Sequence, residues 1–138
     1  MIIDAAPLVS LADRRDPRQP LVRHVLDTEP GALVVPAPVT AEVDNLLRKR
    51  GGSGAARLFL QDIAAGGFQV EGLTPEEHGL ALRLHDQYAG LDLGLADLSV
   101  ILLAHRYQTR RLLTFDQRHF RAITPVSGGV FLLLPADS

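Results

Sequence analysis

Five short segments rich in apolar residues punctuate this chain: Met1-Ile2-Ile3 and residues 32–35, 68–71, 111–115 and 130–134. Mostly continuous apolar runs of this length are what buried parallel strands produce. Between them, apolar residues recur three and four positions apart, as on helices with one face against a core. Leu21, Val22, Val25 and Leu26 form such a face over residues 20–28, and Val39, Val43, Leu46 and Leu47 form another after Pro38. Leu80, Ala81, Leu84 and Tyr88 form a third. Residues 98–104 are apolar or small except for Ser99, so the helix after Gly94 is buried on most of its surface.

Punctuation residues set the boundaries. Pro38 suits a helix start, where its missing N–H costs nothing. Arg48, Lys49 and Arg50 suit the last turn of that helix, and Gly51-Gly52 stops it before a second helix over residues 53–65. Thr74-Pro75-Glu76-Glu77 has the form of a capping box: cap, proline, then glutamate three residues after the threonine. Short helices are also expected at residues 7–12 and around His119-Phe120. Strands alternating with helices imply an α/β fold, a mostly parallel sheet covered by helices. Sites in such sheets form beyond the carboxyl ends of the strands.

Composition narrows the class. The 138 residues suit a single domain, residues 1–138, with a core of its own. With no cysteine there is neither a disulfide nor a thiolate metal site. No stretch is long enough to span a bilayer, and the N-terminus lacks the form of a signal peptide, so a cytoplasmic protein is expected. The formal net charge is −2, which by itself points to no nucleic-acid partner. Arginines cluster, however, at Arg14-Arg15 with Arg18, at Arg48-Lys49-Arg50, at Arg106 with Arg110-Arg111, and at Arg118 with Arg121.

Four acids stand at or near the edge where sites form. Asp4 ends the first strand and Asp116 follows the strand at residues 111–115. Asp97 heads the buried helix, and Glu42 lies on the helix after the second strand. Each alone has an ordinary reading as a turn residue, a helix-dipole partner or a solvated helix position. Together they are too many. Two carboxylates about 5 Å apart repel by about 3 kcal/mol at an effective dielectric of 20. Such a group takes up protons or binds a cation, and carboxylate oxygens suit Mg2+ or Mn2+. The chemistry that fits is phosphodiester hydrolysis by an activated water.

Ile3-Asp4, Ala41-Glu42-Val43, Gly94-Leu95-Ala96-Asp97 and Leu113-Thr114-Phe115-Asp116-Gln117-Arg118-His119-Phe120, in this order, resemble a PIN domain, and more narrowly the VapC toxin ribonucleases of bacterial VapBC toxin–antitoxin pairs. The resemblance spans the whole chain. It implies a three-layer α/β/α fold with a central parallel sheet of about five strands. It also implies a Mg2+- or Mn2+-dependent endoribonuclease, with Asp4, Glu42, Asp97 and Asp116 as the acidic site and Asp4, Asp97 and Asp116 on the metal. Thr114 would supply a supporting hydroxyl. The partners it implies are an RNA substrate, a VapB-type antitoxin and a second copy of the chain in a homodimer, with no membrane. Candidate antitoxin faces are the helices at residues 20–28 and 53–65. Arg14, Arg15, Arg118 and His119 are candidate RNA contacts.

One departure stands out. Ala5-Ala6-Pro7 follows the first acid, where the family usually carries serine or threonine, so a hydrogen bond orienting that acid is expected to be missing. Asp92 either caps the buried helix or borders the site, and Asp44 is placed to pair with Arg48. Two other functions remain open. One is a non-catalytic PIN-like domain that binds RNA or protein. The other is a phosphatase with Asp4 as nucleophile, which would want an acid where Ala6 stands.

Overall fold

The computed structural model describes residues 1–138. Five strands, β1 (Ile2–Ile3), β2 (Val34–Pro36), β3 (Gln69–Glu71), β4 (Arg111–Leu113) and β5 (Leu132–Leu134), form one sheet in the order β3-β2-β1-β4-β5. Every neighbouring pair is parallel. The strands are shorter than the apolar runs that announce them. Six helices accompany them: α1 (Ala5–Leu11), α2 (Gln19–Thr28), α3 (Ala37–Ala64), α4 (Pro75–Gln87), α5 (Leu95–Arg106) and α6 (Gln117–Ala122). With helices flanking the sheet, this is the three-layer α/β/α arrangement.

β1 sits at the centre, and α5 packs on β1, β2 and β4. Residues 98–104 of α5 are all buried, so the helix that the sequence marks as most apolar fills the middle of the core. Its one polar residue there, Ser99, donates its hydroxyl to the Ala96 carbonyl at 2.6 Å. The capping box forms as written: Glu77 N–H donates to Thr74 Oγ1 at 3.1 Å, and Thr74 N–H to Glu77 Oε1 at 2.9 Å.

α3 is two helical segments with a break at Gly52, where φ is 78° and ψ is −173°. Only glycine adopts that backbone readily, which is why the glycine pair interrupts the helix. Arg48 Nε donates to Asp44 Oδ2 at 3.0 Å, the pairing expected of that spacing.

Candidate active site

β1 ends at Ile3, and Asp4 caps the helix that follows, its Oδ1 accepting from Ala5 N–H at 2.9 Å. A helix N-terminus suits a carboxylate, so the end of the central strand places this acid on the carboxyl edge. Next to it β4 ends at Leu113, and Thr114 and Asp116 follow. Asp116 in turn caps α6, its Oδ1 accepting from His119 N–H at 3.0 Å. Asp97 lies in the first turn of α5, where its Oδ2 accepts from Gly94 N–H at 3.2 Å. Three helix starts thus converge on one sheet edge, each carrying an acid.

Thr114 ties two of the acids together. Its hydroxyl donates to Asp4 Oδ2 at 2.8 Å and accepts from Asp116 N–H at 3.0 Å. Both Asp4 and Thr114 are buried, at 8% and 1% exposure. The hydrogen bonds to Asp4 therefore come from Ala5 N–H and from Thr114, a strand away. Alanines at positions 5 and 6 do not leave this acid without donors.

The electrostatics follow from the crowding. Burial pushes the Asp4 carboxyl above its ordinary value; the bonds from Thr114 and Ala5 oppose that, and the charges of Asp97 and Asp116 add to it. Asp97 is also raised, first by burial, with the bond from Gly94 and the nearby His119 opposing and Asp116 adding. Glu42, near the start of α3, stands at the rim. Partial burial raises its carboxyl, and the negative charges of Asp4 and Asp97 raise it further. Each of these three carboxyls is thus raised first by burial and further by at least one other of the four acids.

Ligand reach is narrower than that list of four. Ligating atoms of Asp97, Asp116 and His119 all lie within 4.8 Å of one another. His119 Nδ1 is 2.7 Å from Asp116 Oδ2, held there by the single turn of α6. At this distance His119 joins Asp97 and Asp116 of the expected trio, and Asp4 stands beside them, linked to Asp116 through Thr114. The sequence assigned His119 to RNA phosphate; the signal for its place beside the acid was the three-residue spacing from a helix-capping aspartate.

Other candidates fall elsewhere. Arg118 is exposed on α6 beside Asp116. Arg14 and Arg15 are exposed past the end of α1, and Arg15 lines a crevice with Asp16, Arg50 and Ala55 that includes none of the four acids. Asp92 has left-handed backbone, φ 51°, at the end of a single 3₁₀ turn, Ala89–Leu91; Gly94, not Asp92, occupies the cap position of α5.

Comparison with known proteins gives the family and the fold. The family model of the PIN domain matches residues 1–124. Ribonuclease VapC26 of Mycobacterium tuberculosis (strain ATCC 25618 / H37Rv) is 36% identical over 135 residues, which is 98% of this chain and 100% of the relative. The crystal structure of Mycobacterium tuberculosis VapC20, described as a sarcin–ricin loop cleaving toxin, superposes with a TM-score of 0.76 at 17% identity. The match covers 83% of this chain and 88% of that one. At that identity the likeness is one of fold.

Proposed function

This chain belongs to the PIN domain family, and on that premise we propose that it is a metal-dependent endoribonuclease of the VapC type, the toxin of a type II toxin–antitoxin pair. The observation that carries the reading is the meeting of Asp97, Asp116 and His119 within ligand reach, beside the buried Asp4, at the carboxyl edge of a parallel sheet.

The donor set fits a divalent cation. The Asp97 carboxyl and that of the neighbouring Asp4 are raised by burial and further by nearby acids, so a positive ion would relieve both strains. Oxygen-rich coordination favours Mg2+ or Mn2+ over zinc, and we assign one of these. Asp97 and Asp116 would hold the ion, with Asp4 beside them and Glu42 at the rim. When bound, such an ion activates a water and offsets charge on the phosphate. The chain's own residues do the rest. Thr114 orients Asp4, and His119 fixes the rotamer of Asp116. Arg118, exposed two residues after Asp116, is the candidate for a substrate phosphate.

The proposed partner is a VapB-type antitoxin. A groove of about 310 Å³ is lined by Leu8 and Leu11 of α1, Arg23 of α2, and Leu47, Leu58 and Phe59 of α3, among others. Both helices named as docking faces from the sequence contribute to it. Leu58 is 62% exposed there, which suits an apolar partner segment. No helix is long and apolar enough to cross a membrane. A homodimer in the cytoplasm completes the proposal.

Incubation with total RNA and Mn2+, followed by mapping of the new ends, tests it. Discrete cleavage sites are expected. Binding without cleavage would favour a non-catalytic PIN-like domain, and hydrolysis of p-nitrophenyl phosphate but not RNA would favour the phosphatase.

A further inference from the structure

We propose that a second pocket, on the β4–β5 side of the acids, is a stacking site for one nucleobase of the RNA strand, with the Arg18 guanidinium as its platform; this rests on the ribonuclease reading. The pocket, about 300 Å³, is lined by Arg18, Leu21, Thr114, Phe115, Gln117 and the Pro135-Ala136 pair. Thr114 also holds Asp4, and Phe115 and Gln117 flank Asp116 in the chain. A strand with its scissile phosphate at the acids therefore has a neighbouring nucleotide at this pocket.

Its walls have the chemistry of a base platform rather than of a phosphate contact. Arg18 lies over the Phe115 ring, 4.1 Å from ring centre to guanidinium carbon. Asp16 grips the same guanidinium with two parallel bonds, Nε to Oδ1 at 3.0 Å and Nη2 to Oδ2 at 2.8 Å. The bonds from Arg18 hold the Asp16 carboxyl well below the usual carboxylate range, so Asp16 is ionised at neutral pH. The arginine plane is thus fixed before RNA arrives, and little side-chain freedom is lost on binding. Its charge is half-answered by Asp16, which weakens it as a phosphate ligand and leaves its flat face. The Arg18 side chain is 50% exposed, so part of it stays open to solvent while it lies over Phe115. Stacking on guanidinium and aromatic planes is how proteins grip unpaired bases. Leu21, 54% exposed at the rim, supplies the apolar edge.

The test is binding in EDTA, where no cleavage intervenes. The probe is a single-stranded uridine dodecamer with a central 2-aminopurine and a terminal fluorescein. Wild type should bind and quench the 2-aminopurine. Arg18→Ala and Arg18→Lys should both weaken binding roughly ten-fold and lose the quench, because lysine keeps the charge but not the plane. Phe115→Leu should lose part of the quench, and Arg50→Ala, outside the pocket, should change neither signal. Melting temperatures within a few degrees of wild type show that the variants fold. Wild-type-like binding and quench by Arg18→Lys would overturn the stacking site, and so would an unchanged Arg18→Ala. A wild type that binds no RNA in EDTA would overturn the stacking site, whereas the ribonuclease reading stands or falls separately on the Mn2+ cleavage assay.

Discussion

Thr114 Oγ1 donates to Asp4 Oδ2 at 2.8 Å across 110 residues of sequence, joining the ends of two adjacent strands inside the core. Valine has nearly the shape of threonine but no donor. Thr114→Val should therefore leave a buried carboxylate oxygen short of a bond, costing about 1–3 kcal/mol. Mn2+ affinity should fall about 10–100-fold, as for other groups that orient a ligand. Thr114→Ser should retain most of both. Calorimetric titration and thermal melting of the three proteins check this.

Asp97→Asn separates site from scaffold. The asparagine still accepts from Gly94 N–H, and the lost dipole interaction costs about 0.3–1 kcal/mol. Against that, the wild-type carboxyl is raised, first by burial, so the folded state binds its proton more tightly than the unfolded chain. The penalty is absent below the ordinary value of 3.8 and grows as pH rises through the window between that value and the raised one. Without metal, the variant should gain in melting temperature relative to wild type as pH climbs through that window. Its cleavage rate should drop by orders of magnitude. A variant that cleaves normally would leave Asp97 as a helix residue alone.

Chelation should stop cleavage without unfolding the chain. Of the four acids only Asp4 is buried, and the 30-residue hydrophobic core contains none of them. Excess EDTA should therefore leave the far-ultraviolet circular dichroism unchanged. Restored Mn2+ should raise the melting point with concentration, as any native-state ligand does.

Leu58→Glu puts a charge into the apolar groove at an exposed position. Antitoxin binding should weaken by about 2 kcal/mol or more, the range of a central interface residue. Cleavage of RNA should persist, because Leu58 lines the groove and not the acid site. Inhibition assays with the proposed VapB-type antitoxin give both readouts.

Two glycines in α3 should respond with opposite signs. At Gly52 a Cβ meets nothing within 4 Å, but φ is +78°, so Gly52→Ala should cost about 1–3 kcal/mol through the backbone alone. Gly54 also faces open space and has no positive φ, so Gly54→Ala should stabilise by about 0.5–1 kcal/mol. Denaturant melts of the two variants measure the difference.

Much of this was legible in the sequence because its signals are local. The apolar runs located all five strands, Gly51-Gly52 located the break in α3, and the residues after Thr74 located a cap that forms bond for bond. What escaped was what depends on neighbours in space. Strand order, with β1 central, leaves no local trace. Thr114 is expected as a supporting hydroxyl, but that it bonds Asp4, where position 5 has none to offer, depends on the pairing of β1 with β4. Helix α1 begins at Ala5, two residues before the proline that suggested its start, because Asp4 itself is the cap. Arg14 and Arg15 read as basic in the same way as Arg18, and only the fold sets Arg18 alone against Phe115.

β5 adds no acid, yet the Leu134 carbonyl accepts the Thr114 amide at 3.0 Å and so anchors the residue that holds Asp4. On a ribosome, all four acids have been translated once Asp116 is made, while this last strand is still to come. The last strand of the sheet thus completes the hydrogen bonding around Thr114, and through it the setting of Asp4 at the opposite end of the sequence.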